Sequence, residues 1–339
     1  MAQFIPRTFF AIPESIPKTY FLGHHHAGLN SMKTVLSNVH LILECRDTRL
    51  PLSTRNPQLE ALVAGRERII VYTKSDLGTD SQRSLAALSR LDAGRSHFWD
   101  KQKPGATSLL LKRIKQTAQE VDSLTGLRVM IVGMPNVGKS TLLNRLRSAG
   151  AGAAGKTAKF AKTGDQAGVT RKVSSAVRIV PSEGPGSVNG GVYLLDTPGI
   201  FQPYVNDGET MLKVALTHGI KKGLIPDKIL VDYLLFRMNL WDTALYSDYC
   251  PPTNDVDEFL AAAATRHGKL KAGGEPNLTE AAAALLTRWQ KGKLGRYVLD
   301  DISDQAIHAH QELLAKPELS VNQARKLQKE ERKKERVRE

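Results

Sequence analysis

The chain has 339 residues and a formal net charge of +14, with Lys and Arg outnumbering Asp and Glu by 48 to 34. That length supports about two domains with real cores, and the charge favours a polyanionic partner, nucleic acid or an anionic membrane surface. Two cysteines, Cys45 and Cys250, suit a reducing compartment and a role as small buried apolar residues rather than a zinc site, and no apolar run approaches the roughly 18 residues of a membrane span.

The N-terminal stretch MAQFIPRTFFAIPESIPKTY (1–20) carries Arg7 and Lys18 against a single acid, Glu14. It reads as a weak mitochondrial presequence, poor in arginine and interrupted by proline. TVLSNVHLILEC (34–45) gives a helix end and then a strand, and RDTRLPLSTRNPQLEALVAG (46–65) a loop and then a helix. RERIIVYTKSD (66–76) is a second strand ending in polar residues, followed by a helix over 80–92. GATSLLLKRIKQTAQEVDSL (105–124) has a helical pattern, and LRVMIVG (127–133) reads as a buried strand. Strands alternating with helices imply an α/β fold with a doubly wound, mostly parallel sheet, its chemistry at the carboxyl ends of the strands.

KSTLLNRLRSA (139–149) reads as a helix, and a small-residue, basic segment over 148–170 is expected to be mobile. RKVSSAVRIV (171–180) and VYLLDTPG (192–199) form a hairpin around a glycine-rich turn at 181–191. From about residue 205 strand signals vanish, and 208–240, 254–267, 278–292 and 302–313 read as helices. The expected division is a presequence over 1–20, an α/β domain over 21–204, a smaller all-helical domain over 205–313 and a charged tail over 314–339.

GMPNVGKS (133–140) fits G-x-x-x-x-G-K-[ST] between a strand and a helix. Glycines let backbone N–H groups turn inward around phosphate oxygens, where a Cβ would clash. The loop from Asn136 through Val137, Gly138, Lys139 and Ser140 to Thr141 is therefore the expected phosphate site. Lys139 supplies a point charge for the β- and γ-phosphates, and the Ser140 hydroxyl is a ligand for Mg²⁺. DTPG (196–199) ends a later strand, where Asp196 reaches Mg²⁺ through water and the Gly199 N–H contacts the γ-phosphate. Thr170, in GDQAGVTR, is expected to close over the γ-phosphate and ligate the metal. TKSD (73–76) is the base reader: Asp76 can accept both N–H donors on one edge of guanine, Lys74 can lay its stem along the base, and Thr73 and Ser75 complete the turn. Adenine presents no such donor pair, so the expected ligand is GTP or GDP.

In order, T-K-x-D, G-x-x-x-x-G-K-S, G-x-T and D-T-P-G are the motifs of translation-factor-class GTPases, with base recognition moved ahead of the phosphate elements. With GHHHAGLNSM, CRDTRLPLSTRNP, DTPGIFQP and DYLLFRMN, the chain resembles the circularly permuted ribosome-assembly GTPases of the YlqF/RbgA family, its mitochondrial members most closely. The resemblance runs from Tyr20 to about Asp301. It implies a circularly permuted P-loop GTPase domain and a helical domain moved by hydrolysis. It further implies a monomer that assists assembly of the mitochondrial large ribosomal subunit by binding its rRNA in the GTP state. The implied location is the mitochondrial matrix, with peripheral contact with the inner membrane left open. The alternative is an RNA-binding GTPase acting in mitochondrial translation or RNA modification.

Of three further positions, Thr73 departs from the family pattern, whereas the residue change at Ile200 is shared by the family and Asn136 matches other GTPases. Thr73 stands where the usual motif has asparagine, and its hydroxyl can still bridge to the phosphate loop but with less reach. Ile200 follows DTPG where other GTPases carry a water-orienting glutamine, which implies slow intrinsic hydrolysis and points to His24 of the GH motif as the catalytic group. Read from the residues alone, His24 to His26 is a solvent-exposed loop or a weak metal tract. Asn136 either binds K⁺ beside the nucleotide, as in GTPases that share it, or only shapes the loop. The second guanine-contact loop is expected between about 96 and 107, with no residue assigned.

Overall fold

The computed structural model describes residues 4–17, 20, 23–150, 173, 175–202, 205, 207–315, 323, 326 and 330, without the side chains of His24 and Ala315. Most of the 148–170 segment and almost all of the charged tail lie outside the described residues. The strands are β1 (Leu41–Asp47), β2 (Glu67–Thr73), β3 (Ser96–Phe98), β4 (Leu127–Gly133), β5 (Val177–Val180) and β6 (Val192–Asp196). They form one sheet in the order β3-β2-β1-β4-β6-β5. All neighbours run parallel except β5, which is antiparallel to β6 as the hairpin reading requires. The chain builds outward from β1 to β3 and then returns to place β4 on the other side of β1. The carboxyl ends of β1 and β4 therefore flank the topological switch point, where α/β sheets bind ligands.

Both faces of this sheet are covered, and the period-2 alternation of a strand sorts its side chains between them. Leu41, Leu43 and Cys45 of β1 join Val129 and Ile131 of β4 in one core. Ile42 joins Met130 and Val132 in the other. Helices α4 (Pro104–Val121) and α5 (Lys139–Gly150) bring Leu110, Ile114, Leu142 and Leu146 to the first face. Helices α1 (Gly23–Leu36) and α2 (Pro57–Leu62) bring Met32, Leu36 and Leu59 to the second. Leu88 of α3 (Gln82–Leu91) packs with Ile70 and Tyr72 of β2.

The C-terminal part is helical: α6 (Gly208–Leu216), α7 (Asp227–Trp241), α8 (Val256–Arg266), α9 (Leu278–Gln290) and α10 (Asp304–Ala315). The segment 208–240 is thus two helices rather than one continuous pattern. Helix α6 stops in a paired C-terminal turn, in which His218 N–H bonds Ala215 O and Gly219 N–H bonds Val214 O. His218 takes the left-handed position, φ 61°, usually given to glycine. The core on the α4–α5 face continues without a break into Met211, Leu234, Phe259 and Trp289, so helices and sheet share one interior. Asp300 closes the join on the other side. Its carboxylate accepts from Leu52 N, Ser53 N and Ser53 Oγ at 2.9, 2.8 and 2.5 Å.

Residues 4–17, inside the stretch that reads as a presequence, pack on the helical part. Arg7 pairs with Asp232 at 2.7 Å, and the Phe10 ring meets Tyr233 edge-on at 5.3 Å and Phe236 at 5.7 Å. Ile16 is buried in the common core. Phe10→Ala is expected to cost about 2 kcal/mol, below the full Phe-to-Ala range because the ring is only half-buried. A urea midpoint unchanged from the parent protein would show that this strap carries no stability.

Candidate nucleotide site

Two loops meet at the carboxyl ends of β2 and β4. The phosphate loop leaves β4 at Gly133, whose φ is 144°. A Cβ there would collide with the Cys45 carbonyl of β1, so only glycine lets the strand pass so close. Asn136 (φ 57°) and Gly138 (φ 95°) then turn the backbone before α5 begins at Lys139. Left-handed turns of this kind aim successive N–H groups inward, and the N-terminus of α5 adds its partial positive charge. Val137 is buried beneath the loop, while Ser140 and Thr141 are half-buried on the first turn of the helix.

Lys139 is buried, and its Nζ donates to Met134 O across the loop at 2.7 Å. Burial holds its pKa below the ordinary lysine value, against the opposing pull of Asp196. Ser140 Oγ donates to Asp196 Oδ2 at 2.8 Å. Burial pushes the Asp196 carboxyl up, the Lys139 charge resisting. Gly199 lies directly on the phosphate loop: a Cβ there would stand 2.6 Å from Pro135 Cα and 3.1 Å from Lys139 Nζ. Thr170 lies outside the described residues.

The TKSD turn is stapled to this loop. Thr73 Oγ1 is within hydrogen-bonding reach of both Val137 O and Arg46 O, and its single proton serves one at a time. The threonine hydroxyl thus spans to the phosphate loop despite lacking an amide. Lys74, at φ 54°, donates from Nζ to Asn136 O at 2.8 Å and to Asp47 Oδ2 at 2.9 Å. Ser75 N–H bonds Trp99 O at 3.2 Å, which ties the turn to the loop after β3. Trp99 is itself fixed in the core, its Nε1 donating to Thr107 Oγ1 at 2.9 Å. The loop that sequence left unassigned therefore brings Asp100 and Lys101 beside Asp76. Asp76 is half-buried, and burial, then the Asp100 charge, raise its pKa against Lys101 and Arg49.

Four residues were not legible as site residues. Asp47 and Arg49 form a buried two-pronged pair, Arg49 Nε and Nη2 donating to Asp47 Oδ1 and Oδ2 at 2.9 and 2.8 Å. Burial alone would raise the Asp47 carboxyl, but Arg49 and Lys74 hold it well below the usual carboxylate range. An acid and an arginine two residues apart at the end of a strand were the available signal. From the helical part, His218 O accepts from Asn136 Nδ2 at 2.7 Å. The acceptor is a backbone carbonyl, while the histidine ring itself meets the Gln290 amide. From α1 comes His25. GHHHAGLNSM is the start of a helix rather than a loop; His25 is 1 % exposed, whereas His26 is exposed. The helix buries the face that His25 shares with Leu29 and Met32. The His24 side chain lies outside the described residues.

The family described as 50S ribosome-binding GTPase matches residues 128–244, which begins at the phosphate-loop strand and leaves TKSD upstream, as a permuted order requires. The chain is 36% identical over 310 residues to Mitochondrial GTPase 1 of Schizosaccharomyces japonicus, covering 85% of this chain and 91% of that one. It is 29% identical over 299 residues to Ribosome biogenesis GTPase A of Priestia megaterium, with 84% and 97% covered. The crystal structure of GNP-bound YlqF from T. maritima has the same fold, with a TM-score of 0.50 over 81% of this chain and 98% of that one, at 24% identity. The phosphate loop and the TKSD turn joined at one end of a permuted sheet, and the extent of these matches, lead to one conclusion: the chain belongs to the mitochondrial GTPase 1 family of circularly permuted GTPases and is a GTP-hydrolysing enzyme.

Proposed function

We propose that this GTPase acts in mitochondria, where it assists assembly of the large ribosomal subunit by binding rRNA in its GTP state. The observation that carries the nucleotide site is the double staple of Thr73 Oγ1 to Val137 O and Lys74 Nζ to Asn136 O. It sets a guanine-reading carboxylate, Asp76, at a fixed place relative to the phosphate cradle of Asn136 to Thr141. The ribosomal part draws support from the net charge of +14 and from the names of the relatives.

Mg²⁺ fits the donors present. Ser140 Oγ and Asp196 Oδ2 are hard oxygens 2.8 Å apart at the mouth of the cradle. Among the described residues no cluster of three or more His, Cys, Asp or Glu could hold a metal alone, which suits an ion completed by phosphate oxygens and water. Bound there, Mg²⁺ would neutralise charge on the β- and γ-phosphates. Asn136 commits its Nδ2 to His218, so K⁺ would be met by its side-chain oxygen.

Ile200 is fully buried, so the side chain after DTPG points into the core and orients no water. Hydrolysis by the isolated protein is therefore slow, and His24 is the group proposed to supply what Ile200 cannot once a partner orders the site. In multiple-turnover assays at low and moderate potassium, purified mitochondrial large subunits should raise the rate by about tenfold or more, as expected of a switch ordered by its partner. His24→Ala should bind particles normally and lose most of that stimulation. Equal rates with and without particles would sink the ribosomal reading, and full stimulation of the variant would remove His24 alone.

A further inference from the structure

Each of the four polar groups in the two peptide units that flank Ile200 lies within hydrogen-bonding reach of a partner, and two of the four share one ring nitrogen. In the Gly199–Ile200 unit, Gly199 O lies 3.0 Å from His25 Nδ1, and Ile200 N–H bonds Gly133 O at 3.2 Å. In the Ile200–Phe201 unit, Ile200 O accepts from Asn56 Nδ2 at 3.0 Å, and Phe201 N–H donates to His25 Nδ1 at 3.2 Å. One ring nitrogen therefore touches both units. A neutral ring protonated on Nε2 accepts from Phe201 N–H, whereas a ring carrying its proton on Nδ1 donates to Gly199 O.

The surroundings leave the His25 ring little freedom. It is 1 % exposed, and Tyr20 stands edge-on to both it and Phe201 at 6.2 and 5.7 Å. One turn along α1, Gly28 faces Pro198 and Ile200 so closely that a Cβ would come within 2.8 Å of each. Helix α1 thus lies directly over the segment that follows DTPG. The Ile200 side chain points into the core, so the backbone is what this segment offers a nucleotide. The amide just ahead of the held units is Gly199 N–H, the group assigned to the γ-phosphate.

We propose that His25 is a positioning residue for the triphosphate state: through Nδ1 it fixes the peptide units around Ile200 and so aims Gly199 N–H at the γ-phosphate. The role rests on the nucleotide reading above and is separate from that of His24. Because Gly199 N–H is assigned to the γ-phosphate, which a diphosphate lacks, the role requires that triphosphate binding, and not diphosphate binding, depend on His25.

The test uses the full-length protein with fluorescent GDP and a fluorescent non-hydrolysable GTP analogue. Three variants are compared: His25→Ala, His25→Gln and His25→Asn. Asparagine places its amide where Nδ1 stands, whereas glutamine places it at the Nε2 position. His25→Ala and His25→Gln should keep GDP affinity within about twofold while losing roughly tenfold for the analogue, the loss expected for one buried hydrogen bond. His25→Asn should stay within about threefold of the parent protein for both ligands. An unchanged analogue-to-GDP ratio in His25→Ala overturns the proposal, as do equal losses in the Asn and Gln variants, which would mean that the ring only fills space. Should the alanine variant fail to fold, the Asn and Gln pair decides. A parent protein that binds neither nucleotide would defeat the function proposed above instead.

Discussion

Lys139→Ala is expected to weaken both GTP and GDP binding by roughly 100-fold, about 3 kcal/mol, in the range for truncating one partner of a desolvated charge pair. The buried Nζ already points across the cradle to Met134 O, so a phosphate would take over a charge that is placed and largely stripped of water. In the ligand-free protein the same change should matter little. It removes one donor to a carbonyl inside the loop, and it removes a cation whose burial is unfavourable. The melting temperature without nucleotide should therefore move by only a few degrees. Titration with fluorescent GDP and a melt without ligand check the two halves separately. An affinity loss below about fivefold would show that Lys139 does not face the phosphates.

Arg46→Ala should be the most destabilising single change in the sheet, at about 3 kcal/mol or more. Arg46 is 1 % exposed and bonds three carboxylates: Glu44 at 2.6 Å, Asp92 at 3.1 Å and Glu60 at 3.4 Å. Arg68 still reaches Glu44 and Arg55 still reaches Glu60 in the variant, but Asp92 is left buried beside them. The loss should depend on pH with a definite sign. In the parent protein burial would raise Glu60, but Arg55 and Arg46 overcome it and lower its pKa. Its contribution is present above the unfolded pKa and lost as pH falls through the folded one. In the variant the Arg46 part of that lowering is gone, so less of this contribution remains to be lost as pH falls. The gap between parent and variant should thus be wide at about pH 6, above the unfolded glutamate range, and narrower at about pH 3, as read from urea midpoints. A gap independent of pH would mean that lost packing of the Arg46 stem, not stranded charge, is the cause.

The phosphate cradle was legible because its determinants are local. Glycines at 133 and 138, a lysine and a serine fall within eight consecutive residues between a strand and a helix, so spacing alone dictates where the backbone must turn. The alternation of strands with helices along the chain likewise marked a parallel sheet. The base reader proposed at TKSD could be named for the same reason. That it sits against the phosphate loop could not be read locally, since Thr73 and Val137 are 64 residues apart and meet only because β4 inserts beside β1.

The sequence by itself determined the fold class, the permuted order of the nucleotide motifs and the chemistry proposed for each motif, because backbone turns and strand periods depend on neighbours a few residues away. Only the tertiary structure decided what holds those motifs in place. His25 reaches Gly199 across 174 residues, and His218 reaches Asn136 across 82. In sequence each was one histidine among nine, carrying no periodic or spacing signal. The same holds for the helical end of the chain. An apolar pattern over 208–240 cannot show where α6 stops, since the stop at His218 is tied to the phosphate loop through Asn136. Nor does composition show that Phe10, in a stretch resembling a presequence, packs on Tyr233. Such contacts depend on which surfaces the sheet and helices bring together, and burial of shared apolar area, rather than local propensity, settles that.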